Sequence, residues 1–354
     1  MRLYYNTEKY KSYSKKVAKR AEKRRLKGKR RKKISRRATS RMSKSQREDW
    51  REKQGYKIVI RAPVNLSFLD DPESVVKFIT KAELAIKQYK SLYFEMKSVK
   101  KIDHPSIATL LAVLYMSKKS GVKINGSMPR DEIAKNILVK SGFLYTLFSR
   151  NPEAGHKYDI DMDNQLFTLD NYDLSVVGEI EKAVSKRIFG KVKKLGGFYT
   201  TIGELMDNTT THGSGYEEKT ERWWLSINYD EFSKKARFTF IDYGVGIFTS
   251  LHGKTSEHPV KGILEKAEKF FGVEAVEKHL KRIVEESAGK VYKLPDGRGQ
   301  GIHGIYQTFK RHEIENLHII TNNAFGDIAK NDYKRLTSHL NGTLYYLEIC
   351  DKNK

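Results

Sequence analysis

The positive charge of this chain is concentrated near its N-terminus, which limits where a folded core can begin. Residues 1–55 hold 23 Lys and Arg against 5 Asp and Glu, which is +18 of the +25 formal charge of the 354-residue chain. The stretch "KKVAKRAEKRRLKGKRRKKISRRATSRMSKSQREDWREK" has almost no large apolar side chains, so it cannot form a packed core alone. We therefore predict a basic arm over residues 1–55, disordered or helical.

The basic arm favours a nucleic-acid partner, because clustered Lys and Arg release counterions when they meet phosphates. The alternatives are an anionic membrane surface and a solvated extension that binds nothing specific. No apolar run approaches the ~20 residues of a membrane span, and the first residues lack the apolar stretch of a signal peptide. The only cysteine is Cys350, which excludes intramolecular disulfides. We expect a cytoplasmic protein without a membrane span.

Residues 56–149 alternate between strand-like and helix-like segments. Apolar strand patterns occur in "YKIVIRAPVNLSF", "LYFEM" and "VKING", and helical periodicity occurs in "PESVVKFITKAELAIKQYKS", "HPSIATLLAVLYMSKKSG" and "PRDEIAKNILVKSGFLYTLF". Such alternation predicts mostly parallel strands covered by helices. The polar residues 150–170 then predict a linker with one short strand.

The order of these elements from Ser91 to Phe148 resembles the STAS family, the domain type of anti-sigma-factor antagonists. The resemblance implies a module that binds a protein partner. In that family the turn before the first of these helices reads Asp-Ser-Ser-Gly, and one serine accepts phosphate. This chain has Asp103-His104-Pro105-Ser106 instead. We therefore predict that Ser106 caps or begins the helix and that the phosphorylation switch is lost.

The stretch "GELMDNTTTHG" at residues 203–213 predicts the end of a helix that carries three polar side chains at four-residue spacing. Residues at i and i+4 share a helix face, so Glu204, Asn208 and His212 form one stripe. By itself this stripe has two interpretations: a solvent-exposed polar face or part of a binding site.

Two glycine-bearing stretches further along the chain favour a binding site. "RFTFIDYGVGIF" predicts a strand that ends at Asp242, and Gly244 and Gly246 then let the backbone turn sharply beside a ligand. "LPDGRGQGIHGIYQTF" places glycines just before a helix, where free N–H groups and the helix dipole favour a phosphate. These glycines are Gly297, Gly299 and Gly301.

The order of these motifs over residues 174–350 resembles the GHKL family of ATPases, which includes DNA gyrase, heat-shock chaperones, histidine kinases and MutL. Glu204 and Asn208 resemble its N-box, the two glycine stretches resemble its glycine boxes, and Gly342-Thr343 resembles the Gly-Thr of its closing strand. The resemblance implies ATP and Mg²⁺ as ligands, with Asn208 holding the metal and Glu204 activating the attacking oxygen.

The same resemblance implies roles for the remaining positions. Asp242 would accept a hydrogen bond from the adenine amino group, and Thr343 would support the base or its waters. His212 has two open interpretations, a phosphate contact and a stabiliser of the helix C-terminus. The glycines would admit the base and the phosphates: Gly244 and Gly246 for the base, and Gly299 and Gly301, with Gly297 before them, for the phosphates.

Together the two resemblances predict an α+β chain of two domains. A STAS-like β/α domain at 56–149 and a linker at 150–170 precede a Bergerat-type α/β sandwich at 171–354. The sandwich would have a mixed, mostly antiparallel sheet with helices on one face, and a long lid at 248–298.

Two functions use such a site. One is an ATP-hydrolysing conformational switch whose STAS-like domain and arm contact a protein or nucleic-acid partner; the other is a serine/threonine kinase of the partner-switching type. The long lid and the altered turn favour the switch, whereas the His212-Gly213 ending resembles anti-sigma-factor serine kinases. Histidine autokinase activity is disfavoured, because no phosphoacceptor helix pair precedes the site. The oligomeric state is left open.

Overall fold

A computed structural model describes most of the chain after Lys57. The described residues are 58–88, 91–141, 143–144, 164–169, 174–212, 223–230, 232–252, 276–287, 290 and 300–351, with isolated positions 22, 42, 43 and 46. Contacts divide the chain into two compact units, Met1–Lys57 and Ile58–Lys354. The predicted basic arm therefore lies almost wholly outside the described residues. No helix in the described part is long and apolar enough to cross a membrane.

The second unit begins with alternating strands and helices, as the sequence predicts. Three parallel strands pair in the order β1-β3-β5, and two short strands, β2 and β4, form a separate parallel pair. The elements are β1 (Ile58–Arg61), β2 (Asn65–Leu66), α1 (Pro72–Gln88), β3 (Ser91–Glu95), β4 (Lys101–Ile102), α2 (His104–Lys119), β5 (Lys123–Ser127) and α3 (Glu132–Lys140).

The remainder of the unit is built on a five-stranded sheet with the order β6-β7-β8-β10-β9. All neighbouring strands in it are antiparallel. Its strands are β6 (Asn164–Leu169), β7 (Trp223–Asp230), β8 (Lys235–Asp242), β9 (Glu315–Asp327) and β10 (Asp332–Cys350). The short strand predicted within the linker is thus β6, which pairs with β7 at one edge of the sheet.

Helices of the C-terminal half pack against one face of this sheet. They are α4 (Leu174–Phe189), α5 (Gly196–His212), α6 (Ile247–His252), α7 (Val276–Glu286) and α8 (Gly301–Lys310). Helix α7 lies within the segment predicted as a lid. Its apolar side chains Leu280, Ile283 and Val284 are buried in the same core as those of α4 and α5. This part of the segment is therefore a packed core element.

The other face of the sheet is covered by α1 and α2. Along β10, Leu344 and Tyr346 lie in the core with these two helices, whereas Tyr345 and Leu347 lie in the core with α4, α5 and α7. The described helices of residues 171–354 thus lie on one face, and the other face is covered by helices of the N-terminal segment. An uncovered second face would expose this apolar row to water, and the N-terminal helices bury it. Because one core is shared, Ile58–Lys354 forms a single compact unit, and its division into two domains stays a prediction.

The N-terminus of α2 corrects the prediction that Ser106 caps this helix, although Ser106 does lie at its beginning. Asp103 is the N-cap residue: its Oδ1 accepts from the Ser106 backbone N–H at 2.9 Å, and its Oδ2 accepts from the Ser67 hydroxyl at 2.7 Å. Ser106 instead lies in the first turn and is fully buried. Asp103 replaces it as the cap because a carboxylate has two oxygens, which bind the helix N-terminus and the preceding loop together.

Candidate functional site

Helix α5 carries the first set of candidate site residues. Its apolar side chains Phe198, Ile202, Leu205 and Met206 are buried at i, i+4, i+7 and i+8, the spacing of a helix packed along one face. Glu204 and Asn208 share the adjoining face and are partly buried. The last residue of α5 is His212, whose side chain lies outside the described residues, so its predicted role is not tested.

Gly301, the first residue of α8, lies directly against Glu204 and Asn208. A Cβ atom at Gly301 would lie 2.8 Å from Glu204 Oε2 and 3.1 Å from Asn208 Nδ2. A larger residue at this position would displace the ends of these two side chains. The structure thus brings Glu204 and Asn208 of the helix stripe next to Gly301 at the end of the second glycine stretch. Gly297 and Gly299 lie outside the described residues.

The start of α8 has the properties of an anion site. Gln300 is the N-cap residue, and its side chain accepts no hydrogen bond from the first backbone N–H groups of α8. The helix is fixed from behind, because His303 Nδ1 lies 3.0 Å from the Val284 carbonyl oxygen on α7 and Ile305 is buried. A helix N-terminus held in this way favours negative charge.

The Glu204 carboxyl has an altered proton affinity. Burial raises its pKa above the ordinary value, and the nearby Asp207 charge raises it further. Asn208 is also unusual, because its Nδ2 atom is buried and has no hydrogen-bond partner among the described residues. An unpartnered buried amide is costly unless a ligand completes it.

The second set of candidate residues surrounds Asp242 at the end of β8. The Asp242 carboxylate accepts from the Gly244 backbone N–H at 3.0 Å and is also hydrogen-bonded by the hydroxyl and backbone N–H of Thr343. Thr343 is its cross-strand neighbour on β10. Burial nevertheless raises the pKa of Asp242 to about 6, and these hydrogen bonds only partly oppose that effect.

The turn after Asp242 is held by two residues of β9 that the sequence analysis missed. Thr321 accepts from the Ile247 N–H at 2.9 Å, and Asn322 donates to the Val245 carbonyl at 2.9 Å. Gly246 has φ +76°, and Asn322 fills the space that its Cβ would occupy, with Nδ2 at 2.5 Å. The signal was available in "IITNNAF", where polar residues interrupt an apolar strand.

The two sets lie on the same side of the sheet. Phe238 and Phe240 on β8 lie in the core with α5 and α8, and Asp242 follows them at the next alternate position. No cluster of three or more His, Cys, Asp or Glu side chains suited to a metal occurs among the described residues. A metal here would therefore depend on the Asn208 amide oxygen and on the ligand's own oxygens.

Comparison with known proteins adds no family assignment. No protein-family model matches the chain, and no curated protein matches it significantly. The fold and site define a mixed α/β protein with a helix N-terminus, a partly buried Glu–Asn pair and a strand-end aspartate on one face of an antiparallel sheet.

Proposed function

We propose that the chain is an ATP-binding, Mg²⁺-dependent ATPase of the GHKL type that acts as a nucleotide-controlled conformational switch. The observation that carries this proposal is the contact of Gly301 with Glu204 and Asn208. A phosphate at the start of α8 would meet both a carboxylate and an amide without an intervening side chain. Asp242, on the same face of the sheet, is then the candidate acceptor for the base.

Asp242 and Thr343 carry the recognition of the base. An ionised carboxylate accepts hydrogen bonds, which suits the exocyclic amino group of adenine. The Gly244 N–H and the Thr343 hydroxyl fix the orientation of the carboxylate. Thr321 lies 3.2 Å from Thr343 between their hydroxyl oxygens and extends this polar wall.

The Asn208 amide fits a magnesium ion that shares its coordination with phosphates and water. Its oxygen and nitrogen can be exchanged by rotating the amide, and its buried nitrogen has no partner among the described residues. A neutral oxygen ligand suits Mg²⁺, which keeps several waters and binds substrate phosphates. When bound, Mg²⁺ would supply charge neutralisation for the phosphates.

Glu204 is the candidate general base. It lies one helical turn before Asn208 and contacts the start of α8. Burial raises its pKa, which increases its affinity for a proton taken from an attacking water or hydroxyl. A carboxylate placed there can orient the nucleophile while the N–H groups of α8 hold the phosphate.

The packing of α1 and α2 supports a switch. These helices share a core with strands β8, β9 and β10, so a change at the nucleotide site can reach the N-terminal segment through direct contacts. The buried Ser106 supports the loss of a phosphorylation switch in that segment. The partner of the segment would be a protein, and that of the basic arm 1–55 a nucleic acid. The second candidate, a serine/threonine protein kinase, uses the same catalytic residues.

The fate of the γ-phosphate tests the proposal. We expect the chain, incubated with γ-labelled ATP and Mg²⁺, to release labelled inorganic phosphate, and Glu204→Ala to abolish the release. Glu286→Ala is the matched control, because this exposed α7 carboxylate pairs with Arg282 at 3.3 Å on the same helix. Label transferred to serine or threonine of an added protein would favour the kinase. Absence of ATP binding by the unaltered chain would refute both functions.

A further inference from the structure

Helix α1 of the N-terminal segment is hydrogen-bonded to the part of β10 that leads into the nucleotide site. The Thr80 hydroxyl donates to the His339 carbonyl at 2.7 Å, and Asn341 Nδ2 donates to Glu83 Oε2 at 2.6 Å. Glu83 is only 7% exposed, so this second bond is shielded from water. Burial raises the pKa of the Glu83 carboxyl to about 7, and the hydrogen bond from Asn341 partly opposes that rise. Breaking a buried hydrogen bond leaves its partner atoms unsatisfied, which is costly.

The strand is irregular where these bonds are made. Its pairing with β9 passes from Leu340 opposite Asn322 to Thr343 opposite Thr321, so Asn341 and Gly342 bulge out of the ladder. A bulge leaves its residues without the usual ladder bonds, and the side chain of Asn341 in this bulge is held by the Glu83 carboxyl group. The conformation of the bulge therefore depends on α1.

The bulge lies against the candidate base-binding aspartate. Gly342 has φ +98°, and a Cβ there would collide with the Asp242 carbonyl oxygen. The next residue, Thr343, hydrogen-bonds the Asp242 carboxylate. Asn341, whose side chain Glu83 holds, is thus the direct neighbour of Gly342, whose backbone packs on Asp242.

A second contact joins the N-terminal segment, here through α2, to the residue that follows Asp242. Tyr243 follows Asp242, but its ring packs edge-on against Trp224 at 5.3 Å, in the cluster that includes Tyr115 of α2. The side chains of Asp242 and Tyr243 therefore lie on opposite faces of the sheet. Burial raises the pKa of Tyr243, and the charge of an ionised Glu83 raises it further.

We propose that Glu83 is a positioning residue of the nucleotide site, through which the N-terminal segment controls nucleotide affinity. The proposal rests on the ATP-binding function proposed above. Glu83 holds Asn341, the bulge holds Gly342 against Asp242, and Thr343 then fixes the carboxylate that receives the base. By thermodynamic linkage, a partner that displaces α1 weakens nucleotide binding, and bound nucleotide opposes that displacement to the same extent.

Three variants of the full-length chain test this role. Glu83→Ala removes the acceptor, Asn341→Ala removes the donor, and Glu83→Gln keeps an oxygen that can accept from Asn341. Glu73→Ala is the matched control, because Glu73 accepts from the Thr337 N–H at 2.7 Å between the same two elements, before the bulge. Hydrogen–deuterium exchange of residues 338–345 without nucleotide measures positioning, and calorimetry with ATP measures affinity.

We expect Glu83→Ala and Asn341→Ala to increase exchange at residues 338–345 and to weaken ATP binding about tenfold, the effect of one lost hydrogen bond. The double variant should lose no more than either single variant, and Glu83→Gln should bind within about twofold of the original chain. Glu73→Ala should leave affinity unchanged.

Equal losses of affinity in Glu73→Ala and Glu83→Ala would overturn the proposal, as would unchanged exchange at residues 338–345 in Glu83→Ala. If exchange at residues 338–345 changes as expected but the chain binds no ATP, the nucleotide function is refuted, and control of affinity by Glu83 is refuted with it. The exchange result would then show only that Glu83 holds the bulge.

Discussion

Replacing Asp242 by asparagine should make the folded chain more stable while removing ATP binding. The carboxylate is buried enough to raise its pKa from 3.8 to about 6. The folded state then binds the proton more tightly than the unfolded state, so the free energy of unfolding falls as the pH rises from about 4 to about 6. Asparagine has a similar shape and carries no charge, so it avoids this cost.

The pKa change gives the size of the effect. A rise from 3.8 to about 6 corresponds to about 3 kcal/mol, and solvent at the partly exposed residue reduces this to about 1–3 kcal/mol. We expect Asp242→Asn to be more stable than the unaltered chain by this amount at pH 8 and equally stable near pH 4. ATP affinity should fall to an undetectable level, because the single amide oxygen of asparagine would be taken by the Gly244 and Thr343 donors and would not be left for the adenine amino group.

Urea unfolding followed by tryptophan fluorescence at several pH values measures the difference. Asp230→Asn is a control of opposite sign, because hydrogen bonds from Ser233 and then the Arg237 charge lower the pKa of Asp230 to about 2. Its carboxylate stabilises the fold above about pH 4, and that contribution is lost as the pH falls towards 2. An Asp242→Asn chain that is less stable at pH 8, or a difference independent of pH, would refute the reasoning.

Three further outcomes follow from the site and the arm. Glu204→Ala should leave ATP and Mg²⁺ binding nearly intact but lower single-turnover phosphate release about 10²- to 10⁴-fold; a wild-type rate would show that Glu204 is not the base. Asn208→Ala should instead weaken Mg²⁺-dependent binding and turnover together. Gly301→Val should abolish ATP binding by calorimetry while circular dichroism stays unchanged, since the added side chain meets Glu204 and Asn208; retained binding would contradict the site. If residues 1–55 bind duplex DNA, log K should fall with log salt by about 0.9 per neutralised phosphate, and deletion of the arm should flatten the slope; salt-independent binding would exclude this partner.

Local sequence pattern determined the type of most elements. The apolar spacing in α1, α2, α4 and α5 predicted helices that the structure contains, because helix formation depends on residues within a few positions. The glycines and polar residues of the site were likewise visible as spacing. The sequence analysis assigned no strand to β7 or β9, whose pairing partners lie far along the chain.

The tertiary structure decided how the two halves share a core and which residues support the site. Glu83 follows Val76 and Ile79 at helical spacing, so the sequence showed a charge on an apolar face, but its partner Asn341 lies on a distant strand. That α1 and α2 cover the second face of the sheet could likewise not be predicted, because it depends on how the surface of the helices fits the surface of the sheet. Burial and hydrogen bonding between distant segments depend on their mutual fit, which no local pattern contains.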